Sequence, residues 1–112
     1  MKWIKLIDSK KEHIGRGRVL RMPAQYPYED FVDFMVFDPL ENGYGMGLIV
    51  SSGYKAGLIA VLLPLESLGS VSTGGIETKW LIENWADWGY MDCDVSQVCI
   101  AERYDVPTEL PC

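Results

Sequence analysis

The chain has one histidine, His13, at the end of the polar run Asp8-Ser9-Lys10-Lys11-Glu12-His13. A Ser-His-Asp or Cys-His relay would have to use it. A loop histidine beside Lys10 and Lys11 reads as solvated, so nucleophilic catalysis finds no base here. Cys93, Cys99 and Cys112 are odd in number, form no Cys-x-x-Cys pair, and offer His13 no close partner for a metal. They read as reduced thiols, Cys99 buried in a strand and Cys112 at a frayed end. Gly43-Tyr44-Gly45-Met46-Gly47 has the glycines of a phosphate loop, but it leads into a strand and no Lys-Ser/Thr follows. Gly74-Gly75 does lead into a helix, where Glu77 in the first turn suits the helix dipole better than a bound anion would. Asp92 and Asp94 could hold Ca²⁺ or do acid–base work, but two acids on a loop read more simply as exposed. No catalytic residue, cofactor or metal is expected.

The segment Trp80–Asp94 is richer. It holds three tryptophans, Tyr90 and the acids Glu83, Asp87, Asp92 and Asp94, with Glu77 just before it. The plain reading puts the tryptophans in the core and the acids on a wet helix face, and that suits Trp85 well. At about 100° per residue, Trp80 and Trp88 lie roughly 80° apart around the axis, so one narrow stripe cannot take all three indoles. Trp80, on the acidic side, is expected to be part-exposed, and Trp88 at the helix end is next. Rings bordered by carboxylates have the composition of a binding surface for a basic protein. The expected partner-binding residues are Trp80, Glu83, Asp87, Trp88, Tyr90, Asp92 and Asp94.

These residues need a scaffold. The apolar stretch Gly47–Leu63 reads as a hairpin: two consecutive apolar runs flank Ser51-Ser52-Gly53. Runs of that kind sit in the middle of a sheet, so this hairpin is expected at its centre, with Pro64 ending the second arm. Residues 1–7 have an imperfect period of two, and residues 8–13 read as a turn or loop. Residues 15–21 resume extended structure; their Gly-Arg-Gly-Arg is too short for an RGG-type nucleic-acid segment. Pro23 and Pro27 mark a loop from which Tyr26 and Tyr28 are placed to cover the core. Phe31–Phe37 reads as a strand with Val32, Phe34 and Val36 on one face; a short helix starting near Tyr28 is the alternative. Asp38–Gly45 is turn chemistry. Leu65–Leu68 is a linker or one helical turn, and residues 69–75 read as flexible. Ile76–Trp88 reads as the main helix, with Leu81, Trp85 and Trp88 on one stripe and Gly89 ending it at positive φ. Residues 95–101 read as a last strand, and Pro107 and Pro111 mark an irregular tail. About five strands and one helix in hairpin order give an α+β fold, an antiparallel sheet with the helix on one face.

One domain over residues 1–112 suits this length, and 48% apolar residues suffice for one packed core. No apolar run approaches the roughly 20 residues needed to span a bilayer, and the charged N-terminus lacks the apolar core of a secretory signal. A reduced, cytoplasmic chain is the expectation, without membrane contact. Charge is lopsided: residues 1–21 hold seven Lys/Arg against two Asp/Glu, and residues 22–112 hold three against fourteen. The acidic balance disfavours nucleic acid and draws basic partners, although a net charge of −6 would also serve solubility alone.

Gly47–Leu58, then Leu63-Pro64-Leu65-Glu66-Ser67, then Gly74-Gly75-Ile76 with Trp80–Trp85, resembles the immunity protein 45 family of bacterial polymorphic toxin systems. The likeness runs from about Gly43 to Cys99 and carries no catalytic signature. It implies a small cytosolic protein that binds the toxic C-terminal domain delivered by a neighbouring cell, as in contact-dependent growth inhibition. Many such toxins are nucleases with basic, phosphate-gripping surfaces, which an acidic and aromatic inhibitor can mimic and block. A small-ligand or regulatory module, with Gly-rich turns and tryptophans lining a pocket, is the alternative.

Overall fold

Alternating apolar residues set the frame. The computed structural model describes residues 1–70 and 74–112. In chain order the elements are β1 (Ile4–Lys5), β2 (His13–Ile14), β3 (Val19–Pro23), β4 (Phe31–Phe37), β5 (Tyr44–Val50), β6 (Ile59–Pro64), β7 (Ile76–Glu77), α1 (Thr78–Glu83), α2 (Trp85–Trp88) and β8 (Cys99–Ala101). Short 3₁₀ turns cover Leu6–Asp8, Leu65–Leu68 and Val95–Gln97. Six strands form one antiparallel sheet in the order β1-β8-β3-β4-β5-β6, and β2 pairs with β7 in a small second sheet. The α+β class expected from the sequence stands, with smaller helices than the periodicity implied.

β4 is the strand the sequence specifies best. Val32, Phe34 and Val36 point into the core, opposite Met22 and Leu20 of β3 and Val50 and Leu48 of β5. Leu81 and Trp85 from the helices enter the same cluster, joined by Leu6, Ile14, Ile76 and Ile100. Tyr28 closes one side edge-on against Phe34 and Tyr90, at 6.0 and 5.7 Å between ring centroids. Tyr26, expected beside it, is exposed.

Three expectations are corrected. The β5–β6 hairpin is not central: β6 is an edge strand, because the last strand, β8, pairs between β1 and β3 at the other end of the sheet and not beside β6. Residues 8–13 are not all loop, since His13 is paired opposite Glu77 in β2 and is half-buried. Two-residue ladders of this kind are made by backbone hydrogen bonds and leave no period in the sequence. Ile76–Trp88 is not one helix either. Ile76 and Glu77 pair in β7, and the rest breaks at Asn84, whose φ is −110° and ψ 13°. The Asn84 side-chain amide donates to the Trp80 carbonyl at 2.9 Å, competing for a group the helix would use. The flexible reading of residues 69–75 falls partly on 71–73, which lie outside the described residues.

The opposite face of β4 holds a carboxylate the alternation did not foretell. Asp33 is 2% exposed and takes both arms of Arg21, Nε to Oδ1 at 2.7 Å and Nη2 to Oδ2 at 3.0 Å. The Tyr104 hydroxyl donates to Oδ2 at 2.7 Å, and the Trp3 ring lies 4.4 Å from the Arg21 guanidinium carbon. Burial pushes the Tyr104 phenol above its ordinary range, so it remains a donor at neutral pH. This cluster fastens the irregular C-terminal tail and the N-terminus across the sheet.

Candidate functional site

Trp85 positions the site. Its indole is buried, and Nε1 donates to the Cys93 carbonyl at 3.0 Å, tying α2 to the 91–95 loop. Gly89 lets this happen. Its φ is −89°, not the positive value expected of a helix-ending glycine. Its requirement is space: a Cβ there would sit 2.4 Å from the Trp85 ring. The loop then turns through Val95–Gln97, capped by Asp94, whose carboxylate accepts the Ser96 amide at 3.1 Å and the Ser96 hydroxyl. These bonds hold the Asp94 carboxyl below the usual aspartate range, so it is charged wherever the protein is folded near neutrality.

Between α1, α2 and this loop lies an open groove of about 380 Å³, bordered by Glu83, Ala86, Met91, Asp92 and Asp94, with Trp85 in its wall. Three of the four expected acids are thus brought together. Asp87, next to Ala86, is exposed on α2. Glu83 faces Lys79 at 3.9 Å, both well exposed, a spacing that leaves the carboxylate free to change partner.

The aromatic half of the expectation fares differently. Trp80 is not part-exposed; it is 8% exposed, because the break at Asn84 shifts the phase of the two helical pieces and turns its ring inward. It lies against half-buried Trp88, with ring centroids 6.3 Å apart. Tyr90 is also half-buried, packed on Tyr28 and Phe34, and its hydroxyl accepts from the Gln25 amide at 3.3 Å. The exposed apolar group at the groove is instead Met91, at 77% exposure. Sequence reasoning missed it. The available signal was its place between Tyr90 and the loop acids Asp92 and Asp94.

Cys93 lies under the loop, with its thiol donating to the Asp94 carbonyl at 3.2 Å. Burial, and then the Asp94 charge, push its pKa up, so less thiolate is present at neutral pH. Cys93 is therefore expected to resist iodoacetamide in the folded protein while exposed Cys112 is alkylated at once. Peptide mass spectrometry reads both sites; equal labelling would mean the loop opens readily.

Elsewhere, a groove of about 570 Å³ beside β1 and β8 is lined by Lys2, Lys10, Lys11, Arg18 and Arg103, with Glu102 held by Lys11 at 2.7 Å and Asp105 by the N-terminal amine at 3.1 Å. The charge imbalance of the sequence is thus spatial, with a basic groove here and an acidic one at α1 and α2. The basic groove is lined by neither the Gly-rich turns nor the tryptophans that a ligand module was expected to use. Among the described residues no group of three or more His, Cys, Asp or Glu is arranged to hold a metal ion, and no helix is long and apolar enough to cross a membrane.

A six-stranded antiparallel sheet with two short helices packed on one face defines a compact α+β class. The chain belongs to a family within it: the model for Immunity protein 45 matches residues 6–100. Members of an immunity family neutralise toxins, so a cognate toxin is this chain's partner. No curated protein and no solved structure matches the chain.

Proposed function

We propose that this immunity protein neutralises its toxin by stoichiometric contact at the acidic groove, and catalyses nothing itself. The observation that carries the reading is the gathering of Glu83, Asp92 and Asp94 around one groove with Met91 exposed among them. Carboxylates at that spacing can pair with Lys and Arg side chains, and a thioether can fill an apolar gap in the partner. A nuclease domain presents such cations, because it must grip phosphate. The toxin is therefore taken to be a basic, nuclease-type C-terminal domain delivered by a neighbouring cell, as in contact-dependent growth inhibition, and blocked in the cytoplasm.

Asp87 and Trp88 extend the contact along α2. Trp80 supports Trp88 from beneath, and Tyr90 anchors the start of the loop on Tyr28 and Phe34. The lopsided charge adds range: an acidic face draws a basic domain before contact and raises the association rate.

Co-expression with the adjacent toxin domain tests the reading. Growth should be restored, and the two chains should co-elute as a one-to-one complex. No rescue and no complex would end it.

A further inference from the structure

Exposed sheet edges invite pairing, and natural proteins blunt them with short strands, lysines, prolines or a covering element. The β1 edge obeys: it is two residues long, with Lys2 and Lys5 at hand. The β6 edge is blunted less: Pro64 closes its end and two register shifts interrupt its pairing with β5, but it carries no lysine and, among the described residues, no covering strand. It runs six residues, Ile59–Pro64, with no strand beyond it among the described residues. No residue from Gly57 to Leu65 is charged. Leu58, Ile59 and Ala60 are exposed, Ile59 at 57%. Alternate residues of such a strand aim their N–H and C=O groups away from β5.

Beyond the Asp33 cluster, the sheet face turned away from the helices is apolar along two rows that reach this edge. Met35, Ile49 and Ile59 form one row across β4, β5 and β6, and Phe37, Gly47 and Leu62 form another. Phe37 and Leu62 meet over Gly47, where a Cβ would lie 2.5 Å from one and 3.0 Å from the other. Two charged residues bracket the strand. Lys55 precedes it and Glu66 follows it, and neither makes an ion pair among the described residues.

This edge is complementary to itself. A two-fold axis through the middle of β6 runs two copies antiparallel and brings Lys55 of each towards Glu66 of the other. It also keeps the uncharged stretches opposite one another, so two acidic chains meet without opposing like charges. We infer that the chain forms a two-fold dimer through β6–β6 pairing, which joins two six-stranded sheets into one. The acidic groove plays no part in the pairing, so the inference stands apart from the proposed toxin contact.

Sedimentation equilibrium of the free chain tests it. At micromolar concentration the mass should be twice 12.6 kDa. Ile59→Lys should raise the dimer dissociation constant at least about tenfold, since a lysine on an edge strand must be desolvated for the edge to pair. Lys55→Glu should weaken pairing, and adding Glu66→Lys should restore it. The charge swap decides alone if Ile59→Lys fails to fold. A monomer throughout, a dimer indifferent to Ile59→Lys, or a swap without rescue overturns the inference. A β6 edge protected only when the toxin domain is present also overturns it.

Discussion

The double variant Asp87→Lys/Asp92→Lys is expected to slow association with the toxin domain by about tenfold or more at low ionic strength, with the gap closing as salt rises. Both residues are exposed, and surface changes of this kind leave folding stability within about 0.5 kcal/mol. The effect should therefore fall on the encounter. Asp92 borders the groove and Asp87 extends its charge along α2, so two lysines there turn an attractive face partly repulsive. Stopped-flow association against salt concentration reads the result. An on-rate equal to wild type at every salt would move the contact elsewhere on the molecule. A slow on-rate that salt does not recover would mean the substitutions removed contacts rather than steering.

Trp85→Ala should be the most damaging single change to the fold, at about 3–5 kcal/mol, the range for emptying a buried aromatic site. The indole is 2% exposed, packs against Gly89 and holds the Cys93 carbonyl, so the variant loses core packing and the post of the 91–95 loop together. Trp85→Phe keeps most of the ring and loses the hydrogen bond, which is worth about 1 kcal/mol. Urea unfolding ranks the three proteins. An alanine variant within about 1 kcal/mol of wild type, well below that range, would contradict the placement of Trp85. The phenylalanine variant separates the roles: a fold nearly as stable as wild type with weaker toxin binding assigns the loop's position to the hydrogen bond.

Local patterns were legible in the sequence; long-range ones were not. The alternation Val32, Phe34, Val36 announced both β4 and its buried face, and Pro64 followed by Leu65–Leu68 marked the end of the hairpin. The family likeness rested on the same central stretch. Nothing local showed that β8 would pair between β1 and β3 and leave the outer side of β6 open, because that choice is made by pairing across some eighty residues of chain. Asp33 broke the pattern in the other direction. An acid on the outward face of a strand reads as solvated, and only Arg21 and Tyr104, distant in sequence, make its burial tolerable.

The candidate site divides the same way. The acids of the helix and loop were legible as a group, because carboxylates that close in sequence around a turn stay close in space. Trp80 was misjudged, since the helical phase was carried past Asn84, where a side-chain amide interrupts it. Met91 carried no periodic signal at all.

Hydrogen exchange of the chain with and without its toxin domain tests the central claim most directly. Protection should centre on the amides of 83–95, the segment that builds the acidic groove. Unchanged exchange there, with protection on the basic groove beside β1 and β8 instead, would contradict the account.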